Sequence, residues 1–517
     1  MLIGNENKNK FNNAGDFLDY FHNSYDLEGE NNVYCEKAHL WNRILSPRES
    51  LNHINETLLQ NFLNPSTSLS SGTGDWIRNI DNNLIGYFLD KIPKSLLSDD
   101  IKMPQTGNPI TFPINDIGKE ISTPYAWNLM TFDNFMRMYK PYSTNKKLDI
   151  VEIGAGYGCG ALLWMGTGMV NSYTIIDLKE NLINSAYYLG ENTNWENINL
   201  IQDSCHELET NSINFLTPGN IKHLDTLTFD LAINSDSLGE MPASTAQAYV
   251  KWIYSKLNQD GYFLSKNGHR RSNDGLQNFN DYGYDQFDLK ELLPPLTSSS
   301  GFDDFSHLIL LKKNSKKIDS ETMRYLVILS NLFAIGLSED LIDICNNLKN
   351  NCLKDDDIAF LEIAESIFRD GSKIKDYSHA LNDDNVHKFI LHYLISVKES
   401  ILKKTNNIKP GFEKFLIKGK SDIARFYSYM FLIYYGKLSI KSNDIKRENF
   451  PGVDLFMQEI DSFEKGNFIL KKIKYLIRID NVRKKIFPYK RFNPSLLVKL
   501  KNLYKNLSEY RKFSFYR

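Results

Sequence analysis

The chain has 517 residues, of which 42% are hydrophobic and 13% aromatic, and its 61 Lys and Arg against 63 Asp and Glu give a formal net charge of −2. This length exceeds one ordinary hydrophobic core, so we expect two or three domains. No apolar run reaches the roughly 18 residues of a membrane-spanning helix, and the asparagine-rich start at 1–17 does not resemble a signal peptide. These features predict a cytoplasmic protein.

Residues 1–145 contain helical patches at 84–97 and 126–139, separated by Ser-, Thr-, Gly- and Pro-rich loops such as 65–74. We interpret this region as a helical N-terminal cap that packs over a catalytic face and contributes to the substrate region.

The most informative stretch is 151–158, where an apolar run breaks into Gly154, Gly156 and Gly158, with Glu152 two residues ahead. Glycine tolerates a positive φ and allows the backbone to approach a ligand closely, and a helix start after the turn would offer free N–H groups. The dinucleotide fingerprint G-x-G-x-x-G needs a glycine where this chain has Cys159. The spacing therefore favours S-adenosylmethionine over NAD.

Three further strand-like runs end in acidic or polar residues, at Asp177, Asp203 and Asp236. Asp177 follows the glycines at about the distance at which a βαβ unit places a ribose-binding carboxylate. A run at 306–313 reads as the last edge strand. Together these runs predict a doubly wound, Rossmann-like α/β domain over 146–313, whose ligands bind beyond the carboxyl ends of its strands.

From about residue 320 the strand signal nearly disappears and apolar residues recur at helical spacing, which predicts an all-helical C-terminal domain over 314–517. It is either a stacked, solenoid-like scaffold for a protein partner or a plain helical bundle. The tail 471–517 carries 15 Lys and Arg against two acidic residues. That tail is either a solvated helix face or a contact for an anionic membrane surface, glycan or nucleic acid.

The five cysteines lack C-x-x-C spacing, which argues against a zinc site and a disulfide framework. We expect them to be reduced and structural. They are Cys35, Cys159, Cys205, Cys345 and Cys352.

The order and spacing of five segments resemble class I methyltransferases, and within them the sugar O-methyltransferase family of bacterial surface-polysaccharide loci. The segments are 152–158, 173–182, 187–189, 234–241 and 261–265. The resemblance covers about 105–312 and offers nothing for the helical C-terminus.

The resemblance implies S-adenosylmethionine as cofactor. The three glycines would shape the turn, and Glu152 would lie near the methionine end. Asp177 would hold the ribose hydroxyls and Asp203 the adenine amino group, and Asn234 would join them. The residues by themselves also allow a purely structural role for each acid: Glu152 would only fix the turn, and Asp203 would only cap the next helix.

Methyl transfer to a sugar hydroxyl needs in-line positioning and a general base. The candidates are Asp236 and Glu240 after the fourth strand and His269 after the fifth, whose imidazole titrates near neutral pH. Glu240 alternatively begins a helix as a favourable N-terminal carboxylate. These three residues would also suit a divalent metal, but their spacing is too loose to specify one, so the metal is left unknown.

The loop after His269 is polar, aromatic and glycine-containing, which suits a hydroxyl-rich acceptor. Arg270 and Arg271 would clamp a phosphate or carboxylate on it, and Tyr282 and Tyr284 would cover its apolar surface.

These observations predict an S-adenosylmethionine-dependent O-methyltransferase whose acceptor is a nucleotide-linked or lipid-linked saccharide of a surface glycan. A methyltransferase for another small metabolite or a phosphorylated glycan end group is one alternative. A non-catalytic scaffold with a vestigial core is the other. The core lacks a basic face, which argues against nucleic acid as the substrate. We also expect that the protein, if it meets a membrane, does so peripherally at the inner face.

Overall fold

A computed structural model describes most of the predicted core and parts of the flanking regions. The described residues are 11–24, 31–36, 54–64, 103–114, 119–144, 146–204, 207–268, 282–293, 306–314, 318, 323–324, 327–328 and 354–361. The chain divides into two units, Met1–Met323 and Arg324–Arg517, and the predicted core lies in the first.

A mostly parallel sheet forms the centre of the first unit, as the sequence predicts, and it has eight strands among the described residues. Its order is β5-β6-β4-β3-β7-β8-β10-β9. The strands are β3 Leu148–Ile153, β4 Val170–Ile176, β5 Ile198–Leu200, β6 Ile213–Leu216, β7 Phe229–Ser235, β8 Leu257–Gly268, β9 Asp288–Leu293 and β10 Ser306–Lys312. After β3 the chain forms β4, β5 and β6, which all lie on one side of β3 in the strand order, whereas β7 lies on its other side. The carboxyl ends of β3 and β7 therefore flank the topological switch point, where open α/β sheets bind ligands.

The predicted edge strand at 306–313 is wrong in its position. β10 pairs antiparallel with both β8 and β9, so β9 occupies the edge. The reason is its composition: four consecutive apolar residues, Leu308 to Leu311, are all buried. A strand that is apolar on both faces is stable inside a sheet, whereas an edge strand tolerates polar residues.

In the described part of the chain, four helices flank the sheet: α3 Thr123–Tyr139, α4 Cys159–Met165, α5 Lys179–Asn192 and α6 Ala243–Lys256. The predicted helix at 126–139 is confirmed within α3, which begins at a Ser122 side-chain cap and Pro124 in its first turn. The rings of Phe132 and Trp164 meet edge to face at 5.5 Å and hold α3 against α4.

The N-terminal region contains α1 Ala14–Asn23, α2 Glu56–Leu59 and a 3-10 turn at Val33–Cys35. It also contains an antiparallel strand pair, β1 Thr111–Ile114 and β2 Lys119–Ser122, which the helical prediction missed. Phe17 of α1 packs on Trp195 at 5.6 Å, and Tyr34 packs on Tyr249 of α6 at 4.9 Å. The predicted helix at 84–97 lies outside the described residues, and the role of this region as a cap stays a prediction.

The described pieces of the second unit, at 324, 327–328 and 355–361, are helical. There Arg324 pairs with the buried Asp357 at 3.0 Å. The basic tail lies outside the described residues, as do Cys205, Cys345 and Cys352, while Cys35 and Cys159 are not part of a disulfide bond. Within the described part of the chain, no helix has the length and apolar character needed to cross a membrane.

Candidate active site

The turn after β3 adopts the backbone conformation that its glycines predict. Gly154, Gly156 and Gly158 have φ values of +72°, +61° and +86°. A residue with a side chain pays roughly 1–2 kcal/mol in this left-handed region. The turn returns the chain from Ile153 to α4, which begins at Cys159.

The three glycines differ in what surrounds them. A Cβ at Gly154 would overlap the side chain of Ser237, and one at Gly158 would come within 2.9 Å of Leu189. A Cβ at Gly156 would meet no protein atom within 4 Å. Gly154 and Gly158 are therefore fixed by packing, whereas Gly156 faces open space into which a ligand can approach the backbone.

Asp177 lies beside this turn, as predicted, and ties it to α5. Its Oδ2 accepts from the Gly156 N–H at 2.9 Å, and its Oδ1 accepts from the Leu178 N–H at 2.7 Å and the Asn181 amide at 3.0 Å. A carboxylate offers about four acceptor positions, so Oδ2 has capacity for one more donor. Burial raises the pKa of Asp177 to about 6, although its three hydrogen bonds oppose the shift.

Glu152 lies in the sheet beneath the turn, and its Oε2 accepts the Tyr173 hydroxyl at 2.8 Å. Burial raises the pKa of Glu152 to about 7; the Tyr173 hydrogen bond lowers it, and the Asp177 charge raises it further. With 5% of its surface exposed, the residue is placed to support the turn. Its role as a ligand of the methionine end stays a prediction.

The side chain of Asn234 forms four hydrogen bonds within the protein. Its amide nitrogen donates to Ile153 O at 2.7 Å and to Ser237 Oγ, and its oxygen accepts from the Leu238 N–H and the Asn267 amide at 2.8 Å. All four positions of the amide are used, and the side chain is fully buried. Asn234 therefore joins β3 to β8 and has no position left for a cofactor.

Asp203 follows a strand, as predicted, and its role at the adenine amino group stays a prediction. It follows β5, but β6 lies between β5 and β4, so an additional strand separates it from Asp177. Asp203 is exposed. The place beside Asp177 belongs to the end of β6, where the Asp177 N–H donates to Leu216 O at 3.4 Å. The short run 213–216 gave no strong strand signal, which is why the insertion was missed.

The candidate bases are only partly described. Asp236 follows β7 with a φ of +66°, and 27% of its side-chain surface is exposed. Glu240 ends a 3-10 turn at Leu238–Glu240, before α6 begins at Ala243, so it does not start that helix. His269, Arg270 and Arg271 lie outside the described residues.

The structure buries both tyrosines that the sequence assigns to the acceptor. Tyr282 and Tyr284 are 3% and 2% exposed, and their rings stack at 5.1 Å. The Tyr284 hydroxyl bonds to Ser265 at 2.8 Å, because a buried phenol needs a polar partner. Burial also raises the pKa of the Tyr284 phenol. Both rings thus pack inside the fold instead of lining an exposed loop.

Sequence reasoning missed Lys266, near the end of β8. Its ammonium group lies 2.6 Å from Asp236 Oδ2 and 4.0 Å above the ring of Trp127. Of the metal candidates, Asp236 is therefore already paired with a cation. Among the described residues, no group of three or more His, Cys, Asp and Glu is placed to hold a metal ion. The signal available in the sequence was a lysine at the end of a strand-like run, 262–266, but that run does not identify the partner of the lysine.

The glycine turn, the switch point and the mostly parallel sheet together define a Rossmann-like α/β domain. No protein-family model matches the chain. No curated protein matches it either.

Solved structures that overlap the chain include several methyltransferases. Magnesium protoporphyrin IX methyltransferase from Synechocystis PCC 6803, with bound SAM, is 12% identical over 38% of this chain and 87% of its own, with a TM-score of 0.27. TrmK of M. capricolum, in complex with S-adenosyl-homocysteine, is 12% identical over 53% and 96%, with a TM-score of 0.28. CurJ carbon methyltransferase is 13% identical over 37% and 56%, with a TM-score of 0.27. Likeness at this level does not identify the activity of the chain.

Proposed function

We propose that this chain is an S-adenosylmethionine-dependent O-methyltransferase that methylates a sugar hydroxyl of a surface-glycan precursor. One observation carries the cofactor assignment. At the switch point of the sheet, Gly156 faces open space beside Asp177, which has capacity for another hydrogen bond. This cradle suits a nucleoside that lays its ribose hydroxyls on Asp177 and its chain along the turn.

The residue after the third glycine supports this cofactor over a dinucleotide. In the dinucleotide fingerprint the last glycine allows close packing of helix on strand. Here that position is Cys159, whose thiol is 1% exposed and whose pKa burial raises to about 12. The first turn of α4 therefore packs through the buried Cys159 side chain, at the position where the dinucleotide fingerprint has a glycine.

The chemistry needed from the protein is mostly positioning. S-adenosylmethionine would supply an electrophilic methyl group on a sulfonium. Gly154 to Gly158 and Asp177 would hold it at the carboxyl ends of β3 and β4. The acceptor hydroxyl would approach from the ends of β7 and β8, where Asp236 lies partly exposed. In-line alignment of the two reactants is worth several kcal/mol of barrier, and a base adds about 10²–10⁴-fold.

The sugar acceptor rests on the resemblance of the sequence segments to surface-polysaccharide methyltransferases. The polar residues around Asp236 suit a hydroxyl-bearing acceptor but do not select a sugar among such compounds. We propose a nucleotide-linked or lipid-linked saccharide as the partner.

Calorimetry with S-adenosylhomocysteine tests the cofactor site through a matched pair of variants. Gly156→Ala and Gly168→Ala both place a Cβ in open space at a positive φ, +61° and +70°, but Gly168 lies in the turn before β4, at the opposite end of the sheet. Each substitution should lower the free energy of unfolding by about 1–2 kcal/mol. Only Gly156→Ala should weaken binding, by about 100-fold, which corresponds to roughly 2.7 kcal/mol.

Wild-type protein that binds no S-adenosylhomocysteine at millimolar ligand would refute the enzyme and favour the scaffold. Equal binding by the two alanine variants would refute the site. The acceptor is tested separately, by mass spectrometry of surface glycan from cells that carry wild-type or Asp177→Ala protein. An unchanged methylation pattern would refute the sugar assignment.

A further inference from the structure

Lys266 and Asp236 form a charged pair that contributes a polar wall next to the cofactor turn. The Lys266 side chain is completely buried, and its ammonium group contacts Asp236 Oδ2 at 2.6 Å. The indole of Trp127, on α3, covers the same ammonium at 4.0 Å. The three residues come from three elements that are distant in the sequence.

Folding alone does not explain this pair. Transfer of an ammonium ion from water to a protein interior costs several kcal/mol, and its carboxylate partner and a cation–π contact offset that cost only in part. Apolar residues of similar volume often serve stability equally well at such positions. A buried lysine here is therefore better explained by what it does to Asp236.

The backbone at Asp236 adds a second cost at the same point. Its φ of +66° is in the left-handed region, which costs a residue with a side chain roughly 1–2 kcal/mol. The Asp236 N–H donates to Lys266 O at 2.5 Å, so β8 holds the strained residue in place. Strain of this kind concentrates at functional sites, where the surrounding structure maintains it.

The pair lies next to the cofactor turn, at the carboxyl ends of β7 and β8. Ser237, the residue after Asp236, is the side chain against which Gly154 packs. Asp236 follows the end of β7, and Lys266 lies near the end of β8, where Ser235 and Lys266 are in register. Asp236 therefore presents a partly exposed carboxylate at the ligand-binding edge, while Lys266 contacts it from the protein interior.

We propose that Lys266 is a positioning residue of the acceptor site, an inference that rests on the proposed methyltransferase function. Its ammonium group fixes one carboxylate oxygen of Asp236, so that the carboxylate accepts a hydrogen bond from the acceptor hydroxyl in a constant orientation. Trp127 closes the other side of the ammonium and excludes water. Lys266 acts through Asp236 and does not touch the acceptor.

The test compares Lys266→Met, Lys266→Arg and Asp236→Asn with wild-type protein. Lys146→Met is the matched control, because Lys146 also pairs with an aspartate of this sheet, Asp230 at 2.9 Å, but at the start of β7. Two quantities are measured: the dissociation constant of S-adenosylhomocysteine, and the transfer of tritiated methyl groups from S-adenosylmethionine into a heated extract of cells that lack the chain. Thermal unfolding of each variant shows that it is folded.

We expect Lys266→Met and Asp236→Asn to bind S-adenosylhomocysteine within about threefold of wild type and to lose about 100-fold in transfer rate, a loss of roughly 2.7 kcal/mol. Lys266→Arg, which keeps the charge, should recover transfer to within about tenfold of wild type. Lys146→Met should transfer at the wild-type rate.

Transfer by Lys266→Met at more than half the wild-type rate would overturn the inference and leave the proposed function standing. Parallel loss of S-adenosylhomocysteine affinity and transfer would also overturn it, since Lys266 would then be a general structural support. Wild-type protein that binds S-adenosylhomocysteine but transfers no methyl group would instead refute the proposed function, and the acceptor site with it.

Discussion

The candidate active site has two halves, the proposed cofactor half at the ends of β3 and β4 and the proposed acceptor half at the ends of β7 and β8. The backbone forms the first half, and side chains form the second. At the ends of β3 and β4, the backbone forms the site: three left-handed glycines shape a turn, and Asp177 binds a main-chain N–H of that turn. At the ends of β7 and β8, side chains form it. A site formed by the backbone depends on a left-handed conformation that few residue types adopt. A site formed by side chains depends on the neighbouring groups that hold those side chains in place.

The side-chain half is a continuous hydrogen-bonded network. Asn234 links the Ile153 carbonyl to Asn267, Asn267 links the Gly239 N–H to Ser265, and Ser265 reaches the Tyr284 hydroxyl. Fully satisfied networks of this kind give a buried polar region one defined arrangement. The network therefore holds the acceptor half rigid against the cofactor turn, and Asp236 and Lys266 extend from its edge.

The largest expected effect comes from the point where the two halves touch. Gly154→Ala adds a Cβ that overlaps the Ser237 side chain at a φ of +72°. We expect a loss of about 4 kcal/mol in the free energy of unfolding, from overpacking and strain together, and no measurable binding of S-adenosylhomocysteine. Chemical denaturation and calorimetry measure both.

Removal of the overlapping atoms provides the control for that variant. Ser237→Gly in the Gly154→Ala background should recover at least about 1 kcal/mol more than additivity allows. Strictly additive effects would show that the two halves do not meet at this contact.

The second effect concerns the pH dependence of the free energy of unfolding, to which Glu152 of the cofactor half contributes. The pKa of Glu152 is about 7 in the folded protein against an ordinary 4.5, so the folded state holds this proton more tightly than the unfolded state. Its contribution to stability is fully present below about pH 4.5 and is lost as the pH rises through about 7. At 1.36 kcal/mol per pKa unit, that contribution is about 3 kcal/mol.

Glu152→Gln keeps an acceptor for the Tyr173 hydroxyl and removes the titration. Denaturation between pH 4.5 and pH 8 should therefore show a flatter slope, with a residual part from Asp177, whose pKa is about 6. Glu196→Gln, at an exposed acid, should leave the slope as it is. A wild-type slope retained in Glu152→Gln would contradict the burial of an ionisable Glu152.

The smallest effect isolates the acceptor half. Tyr284→Phe removes one buried hydrogen bond to Ser265 and should cost about 1 kcal/mol of stability with unchanged affinity for S-adenosylhomocysteine. Tyr254→Phe is the control, because its hydroxyl makes a longer contact of 3.5 Å to Asn314 O near the surface. A change in cofactor affinity in Tyr284→Phe would mean that the halves are coupled through the network.

The sequence predicts the glycine turn and the position of Asp177 beside it well, because their requirements are local. A positive φ at alternate positions calls for glycine, and one βαβ unit fixes how far Asp177 lies from the turn. The prediction of an edge strand was wrong because it depended on neighbours: the 306–313 strand is interior because β9 pairs outside it. In the same way, only the fold shows that β6 lies between β5, which Asp203 follows, and β4, which ends beside Asp177.

The sequence by itself thus determined the class of sheet, the glycine turn and the acid beside it, since each is a property of a short stretch of chain. The tertiary structure alone decided that Asn234 is saturated, that Tyr284 is buried and that Lys266 meets Asp236 beneath Trp127. Residues 127 and 266 are far apart in the chain, and no local sequence pattern predicts which side chain will pair with the buried Lys266 ammonium. The partners of a side chain follow from packing, and packing exists only in the folded molecule.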